Sequence, residues 1–195
     1  MAAVITLASV SPRRQELLHQ IGVPHVVVGA HIDESVHADE SPHAYVQRIA
    51  TNKALAVWKE HPSLPVLAAD TTVVLDGVTL GKPSDRDDAL RMLGRLSGRT
   101  HEVLTAVALA TREGVTLRVS VSKVRFRALS DAECAAYWET GEPRDKAGAY
   151  AIQGRAAVFI ESLQGSYSGV MGLPLFETVE LLEAANVPYW CKMPA

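Results

Sequence analysis

Residues 3–22, AVITLASVSPRRQELLHQIG, change their hydrophobic period part-way along, and the change indicates the fold class. Residues 3–8 form a short apolar run, which favours a buried strand. A helix is predicted next, since Ser11 suits the N-cap, Pro12 suits the first helical position and Gly22 suits the end. The apolar residues of that helix share one face and are Leu17, Leu18 and Ile21. A buried strand followed by an amphipathic helix is typical of an α/β domain.

The rest of the chain alternates in the same way. The predicted strands are 26–28, 66–69, 72–75, 78–80, 103–110, 116–126 and 157–163. The predicted helices are 44–58, 85–96, 130–139 and 174–185. The pair Asp76-Gly77 is a strong hairpin signal. Frequent hairpins among interleaved helices predict a mixed α/β sheet with flanking helices rather than a purely parallel sheet.

Composition narrows the class of protein. The 195 residues are 48% hydrophobic and 21% charged, which is average for a soluble globular protein. This length favours one domain over residues 1–195, with residues 185–195 as a tail that carries no motif. The net charge of −3 argues against a broad nucleic-acid-binding face. No apolar run approaches the ~20 residues of a membrane span, and two distant cysteines suit a reducing cytosol.

Two arginines, Arg13 and Arg14, fall in the first turn of the first predicted helix. A helix N-terminus already carries about half a positive charge, so each cation there costs about 0.3–1 kcal/mol unless something compensates. A phosphate bound by Ser9 and both arginines would compensate. Surface acids paired with two exposed arginines would do so as well, and the sequence leaves both interpretations open.

Lys53 lies on the apolar stripe of its predicted helix, four residues after Ile49 and four before Val57. Lysine is almost never fully buried unless it is paired. Its ammonium therefore either extends to solvent or points into a cleft that holds a carboxylate or a phosphate.

Asp70 follows the apolar run 66–69 and is expected at the carboxyl end of a strand. Ligands of α/β proteins gather at that end of the sheet. An aspartate there can hold a divalent cation, activate a water molecule, or both; the alternative is a turn residue. Because a free Asp has a pKa of about 3.9, a base near neutral pH needs a raised pKa or a metal ion.

Two glycine-containing segments are further candidates. Gly81-Lys82 is not a Walker A loop, because Pro83 replaces the Ser or Thr and the glycine spacing is one residue short. Lys82 remains either a phosphate contact or a solvated loop lysine. Residues 146–154, KAGAYAIQG, include Gln153, whose amide offers a donor and an acceptor to the edge of a base.

Together these segments resemble the Maf family of nucleoside triphosphate pyrophosphatases. The matching segments follow the family's order and are residues 7–18, 32–34, 69–71, 80–83, 96–101, 145–154 and 172–175. They cover nearly the whole chain, and their combination is far more specific than any one of them.

The resemblance implies an elongated mixed sheet with two lobes around a nucleotide cleft, similar to the inosine triphosphate pyrophosphatase fold. It implies cleavage between the α- and β-phosphates, which yields a nucleoside monophosphate and pyrophosphate. Asp70 is implied as the general base or metal-bound activator of water, and Glu34 as a second acidic metal ligand beside Asp70. The implied triphosphate contacts are Ser9, Arg13, Arg14, Lys53 and Lys82.

Three positions that govern base preference, Arg13, Thr71 and Gln153, are similar to the branch that acts on dTTP and UTP. The branch that acts on 7-methyl-GTP typically has an aromatic residue, Gln and Glu there. The expected function is hydrolysis of dTTP and UTP, a nucleotide-pool housecleaning role with a link to arrest of cell division. One alternative is a 7-methyl-GTP or inosine-type pyrophosphatase. An alternative of another class is a non-catalytic, nucleotide-binding regulator of septum formation.

The resemblance also implies a divalent cation as cofactor, and oxygen ligands favour magnesium or manganese over zinc. The expected partners are the nucleoside triphosphate and a second copy of the chain in a homodimer, with neither nucleic acid nor membrane. The expected location is cytoplasmic.

Overall fold

A seven-stranded mixed sheet carries the fold of residues 2–191, which are the residues that the computed structural model describes. The strands are β1 (Ile5–Leu7), β2 (His25–Val27), β3 (Val66–Leu75), β4 (Val78–Leu80), β5 (Thr100–Thr111), β6 (Gly114–Phe126) and β7 (Ile160–Gln164). The helices are α1 (Pro12–Gln20), α2 (Pro42–Glu60), α3 (Arg86–Leu96), α4 (Asp131–Glu139), α5 (Tyr167–Met171) and α6 (Leu175–Ala184). Short 3₁₀ segments follow α4 at Glu142–Asp145, Ala147–Ala149 and Arg155–Phe159.

The strand order is β2-β1-β3-β5-β6-β7, and β4 also pairs with β3. Strand β1 is parallel to β2 and β3, whereas β3, β5, β6 and β7 pair antiparallel in succession. The predicted mixed sheet with flanking helices is therefore confirmed.

Alternating side chains of β3 and β5 divide the helices between the two faces of the sheet. Helix α2 covers one face, where Ala50 and Ala54 pack against small residues such as Ala68 and Ala106. The opposite face carries two separate clusters. One contains α1 and α6, and the other contains α3, α4 and the 3₁₀ segments. These two clusters are the two lobes, and the register places Thr71 of β3 opposite Thr105 of β5 between them.

Strand β3 differs from the sequence prediction in a way that matters for the site. Residues 66–69 and 72–75 were expected as two strands with Asp70 at the end of the first, and this is wrong. Strand β5 pairs with β3 from Val66 to Val74 without a break, so Asp70 lies in the middle of one ten-residue strand.

The other edge of β3 is incomplete beside Asp70, which is buried but lines a cleft. Strand β1 pairs only with Val66 and Leu67, and β4 pairs only with residues 73–75. Between them, the part of the chain that the structure describes places no strand beside residues 69–72. We call this interruption the notch. Residues 70 and 71 point to opposite faces of the sheet, yet both border the notch.

Two other segments differ from the prediction. The strand expected at 157–163 is the 3₁₀ segment Arg155–Phe159 followed by β7, because two amides of that segment bond to the Glu142 carboxylate instead of to β6. Helix α5 was not predicted; it has five residues, which is too short to show a period, and begins where the Ser166 hydroxyl accepts from the Gly169 amide.

The start of the tail packs against α1. Val187 is buried, and the amides of Trp190 and Cys191 donate to the carbonyls of Ile21 and Gly22. The last four residues of the predicted tail, 192–195, lie outside the described residues. Among residues 2–191, none of the helices has both the length and the apolar character needed to cross a bilayer.

Candidate active site

A cleft of ≈ 830 Å³ opens at the notch, which is a size typical of small-ligand sites. All nine side chains that the sequence singled out line it: Ser9, Arg13, Arg14, Glu34, Lys53, Asp70, Thr71, Lys82 and Gln153. They come from six separate parts of the chain. The fold therefore brings one set of chemical groups together from distant positions.

An ion-pair triad lies at the centre of the cleft. The Lys53 Nζ atom is 2.9 Å from Asp70 Oδ1 and 3.0 Å from Glu34 Oε1. The Lys53 and Asp70 side chains are only 11% and 10% exposed, whereas that of Glu34 is 49% exposed. Of the two interpretations of Lys53, the structure selects the buried lysine that is neutralised by carboxylates.

The surroundings of Asp70 make its carboxylate more basic than a free one. Burial raises the pKa of its carboxyl above the ordinary value, although Lys53 and Arg14 act in the opposite direction. A carboxylate with a raised pKa accepts a proton more readily than a free one, which is the property that general-base catalysis requires.

The loop that carries Glu34 is tied to α2. The Tyr45 hydroxyl donates to the Glu34 carbonyl at 3.1 Å, and the Arg48 guanidinium donates to the Ser35 carbonyl at 2.9 Å. Arg48 also makes a bidentate ion pair with Glu40, with both bonds at 2.6 Å, and this holds the pKa of Glu40 at about 2. Glu34 therefore faces the cleft although most of its loop is exposed.

The start of α1 has features that favour an anion. Ser11 occupies the N-cap, but its side chain makes no capping hydrogen bond, and no acid lies in the first turn. The Arg14 guanidinium donates to the Gly172 carbonyl at 2.8 Å and to Ser9 Oγ at 3.1 Å, so it is held in place by neutral groups. Burial lowers the pKa of Arg14, while Asp70 acts to raise it.

Two further cations face the cleft without an acid of their own. Within residues 2–191, neither Arg13 nor Lys82 forms an ion pair with a carboxylate. Arg14 bonds to neutral groups, and Arg13 attracts the Asp145 carboxylate of the same cleft without forming an ion pair with it. Cations at one wall of a cleft attract the phosphates of a ligand.

One wall of the cleft is suited to reading a base. The Thr105 hydroxyl donates to the Gly169 carbonyl at 2.8 Å, so in its 3.0 Å contact with Thr105 the Thr71 hydroxyl is the donor. Thr71 Oγ1 keeps its lone pairs for a ligand. Gln153, in a turn further along the cleft, is exposed and offers both a donor and an acceptor.

Sequence reasoning assigned no role to several residues of the cleft. Tyr45, Asp145, Lys146 and Gly172 line it, and Asp145 and Lys146 form an ion pair with each other. Asp145, Lys146 and Gly172 lie in segments quoted for the family resemblance. Tyr45 has no such signal, because its position follows only from how α2 packs on the sheet.

The residues present fit a hard divalent cation. Glu34 and Asp70 offer carboxylate oxygens on the same side of the cleft, since both reach the Lys53 ammonium. Residues 2–191 contain no cluster of three or more His, Cys, Asp or Glu side chains placed to hold a metal. Magnesium prefers a coordination shell in which one or two protein carboxylates are joined by substrate phosphates and water.

A buried histidine, His101, contacts Tyr150, which lines the cleft. His101 is 2% exposed and its Nε2 atom is 2.8 Å from the Tyr150 hydroxyl, while its Nδ1 atom has no partner among the described residues. Burial lowers the pKa of His101 from 6.5 to about 4, so the folded protein holds it neutral.

We expect His101 to make the folded protein less stable in acid. Its contribution to stability is complete above pH 6.5 and is lost as the pH falls through about 4, because only the unfolded chain takes up the proton in between. At pH 4.5 the loss is about 2–3 kcal/mol. Urea unfolding at pH 7 and pH 4.5 should show this loss in wild type and not in His101→Phe. The exposed His61→Gln is the control, and an equal loss in wild type and His101→Phe would contradict the prediction.

Comparison with known proteins identifies the family. The Maf-like protein family matches residues 4–185. The dTTP/UTP pyrophosphatase of Methylobacillus flagellatus is 55% identical over 185 residues, covering 94% of this chain and 93% of that protein. The dTTP/UTP pyrophosphatase of Alkalilimnicola ehrlichii is 56% identical over 191 residues, covering 95% and 94%.

Among solved structures, a HAM1 protein from Coxiella burnetii has the same fold, with a TM-score of 0.52. It is 17% identical, and the match covers 94% of this chain and all of that one. The likeness concerns the fold alone. The family match and the relatives agree over nearly the full length, and the chain belongs to the Maf-like protein family.

Proposed function

We propose that this protein hydrolyses dTTP and UTP to the nucleoside monophosphate and pyrophosphate. Its relatives at 51–56% identity are named dTTP/UTP pyrophosphatase. The observation that carries the proposal is the meeting of Asp70 with Lys53, Arg13, Arg14 and Lys82 in one cleft. A carboxylate surrounded by cations suits attack by water on a polyanionic phosphate chain.

The cations have distinct tasks in this proposal. The triphosphate is bound by Arg13, Lys82 and the start of α1. Arg14, which bonds to Ser9, supports that binding. Lys53 holds Asp70 in position at 2.9 Å. Asp70 accepts a proton from the attacking water, and the cations neutralise the charge that develops on the leaving pyrophosphate.

The cofactor in this proposal is magnesium or manganese, held by Glu34 and Asp70. When bound, the cation supplies Lewis-acid stabilisation of phosphoryl oxygens and lowers the pKa of a bound water. The same proposal includes the homodimeric state and the cytoplasmic location that the resemblance implies.

Base preference in the proposal is assigned to Arg13, Thr71 and Gln153. Uracil and thymine present alternating acceptors and one N–H donor along their pairing edge. Thr71 Oγ1 offers an acceptor, and the Gln153 amide offers both kinds of group. A glutamine amide, which both donates and accepts, suits the pairing edge of a pyrimidine. The N–H donors of guanine are better matched by a carboxylate, which only accepts.

Pyrophosphate release from dTTP, UTP, CTP, GTP, 7-methyl-GTP and ITP tests the function. We expect the highest kcat/KM for dTTP and UTP, activity with magnesium or manganese, and loss of activity with a chelator that is restored by added metal. Preference for a purine nucleotide would refute the base assignment. Absence of turnover on every nucleotide would refute the enzymatic function.

A further inference from the structure

The side chain of Gln153 is not held in place by the protein. It is exposed and makes no hydrogen bond within residues 2–191. Its position is therefore set by the backbone around it, residues 151–156, which we call the base loop. The groups that fix the base loop also fix where the Gln153 amide meets a base.

A single carboxylate holds the far side of the base loop. Glu142 Oε2 accepts from the Arg155 amide at 3.0 Å, and Oε1 accepts from the Ala156 amide at 3.3 Å. Burial acts to raise the pKa of Glu142, but bonds from Tyr137 and these two amides outweigh it and lower the pKa. Glu142 is thus an ionised acceptor, and charge-assisted bonds of this kind are strong.

A tyrosine holds the near side. The buried Tyr137 hydroxyl donates to Glu142 Oε1 at 2.6 Å and accepts from the Ala151 amide at 3.3 Å. Its ring packs edge-on against Phe159, with 5.1 Å between centroids. Tyr137 therefore links the Ala151 end of the base loop to Glu142, which binds the other end directly.

The contact also depends on a glycine directly after Gln153. A Cβ added to Gly154 would overlap Glu142 Oε2, so only glycine lets the carboxylate approach the loop this closely. The amides bound on either side belong to Ala151 and Arg155, which are both two residues from Gln153.

We propose that Tyr137 and Glu142 are positioning residues for base recognition, which fix the base loop so that Gln153 meets the pyrimidine edge. The inference rests on the proposed function. Neither residue is among the described residues that line the cleft, and neither touches Asp70 or Lys53. Their loss should alter the choice of base more than the chemical step.

The test is the ratio of kcat/KM for dTTP to that for 7-methyl-GTP. We expect Glu142→Ala, which removes the acceptors of the base loop, to lower this ratio about tenfold. Tyr137→Phe keeps the ring and should lower it about threefold, and Glu142→Gln, which retains one acceptor oxygen, should fall between them. The kcat for dTTP should stay within about threefold of wild type. Glu139→Ala, an exposed acid at the end of α4, is the matched control.

A double-mutant cycle separates positioning from general support of the fold. In a Gln153→Ala background, Glu142→Ala should leave the ratio unchanged, because the group that it positions is gone. An equal fall for both nucleotides, or a full additional effect in Gln153→Ala, would overturn the inference. If Glu142→Ala does not fold, as judged by thermal unfolding, Tyr137→Phe decides in the same cycle.

The inference and the function fail in different ways. Wild type that does not hydrolyse dTTP or UTP overturns the function and the inference with it. Wild type that prefers dTTP, with a ratio unchanged in both Tyr137→Phe and Glu142→Ala, overturns the inference alone.

Discussion

Asp70→Asn should reduce kcat for dTTP by about 10²–10⁴ while the protein remains folded. The amide of asparagine cannot accept the proton of the attacking water. Folding should survive, because burial raises the pKa of Asp70 and the folded state already disfavours its charge. Lys53 keeps a carboxylate partner in Glu34, at 3.0 Å. Pyrophosphate release measures the expected loss of kcat, and urea unfolding measures whether the variant remains folded.

The control for Asp70→Asn is Asp76→Asn, the same change at an exposed aspartate that pairs with Arg99 outside the cleft. Its activity should equal that of wild type. Full turnover by Asp70→Asn would remove Asp70 from the chemistry. Loss of folding at Asp70→Asn would show instead that its bond to Lys53 is essential to the core.

Lys53→Met should lower kcat/KM by about 10²–10³. Methionine fills a similar volume on the apolar stripe of α2, but Asp70 and Glu34 lose the cation that they share. The pKa of Asp70 then rises further, because Lys53 is the main group that opposes the effect of burial. The control is Lys59→Met, the same change at an exposed lysine of the same helix. Steady-state kinetics of the two variants separate the loss of the Lys53 ammonium from the general effect of a lysine-to-methionine change in α2. A kcat/KM for Lys53→Met within threefold of wild type would show that the ion-pair triad is not needed.

The sequence identified the candidate site where a residue conflicts with its local surroundings. Lys53 on an apolar stripe and two arginines at a helix start are unfavourable by themselves. Two carboxylates explain Lys53 in the structure, and the triphosphate of the proposed function would explain the arginines. Such conflicts are visible from helix periodicity alone, which is why these residues could be predicted.

The context of Asp70 could not be predicted in the same way. An apolar run before an aspartate looks like the end of a strand, and only pairing with β5, which begins thirty residues later at Thr100, shows that the strand continues. The notch depends on where β1 and β4 stop along β3. No local pattern records this, because strand pairing is set by contacts distant in the sequence.

Tyr137 and Glu142 were missed for a similar reason. They lie five residues apart, which matches no face of a helix, and their partners are backbone amides at least thirteen residues further on. A hydrogen bond to a backbone amide cannot be recognised from the side chains that a sequence lists. Gly154 was the one available signal, since a glycine after Gln153 permits a close approach, but the sequence does not say of what.

The opposite orientations of Asp70 and Thr71 bear on how such proteins diversify. Asp70 points toward α2 and Lys53, whereas Thr71 points toward Thr105 and the segment around Gly172. A substitution at position 71 therefore leaves the ion pair on the other face untouched. Under the proposed function, descendants of one ancestral hydrolase can therefore change their base preference at position 71 while Asp70 and Lys53 are inherited unchanged.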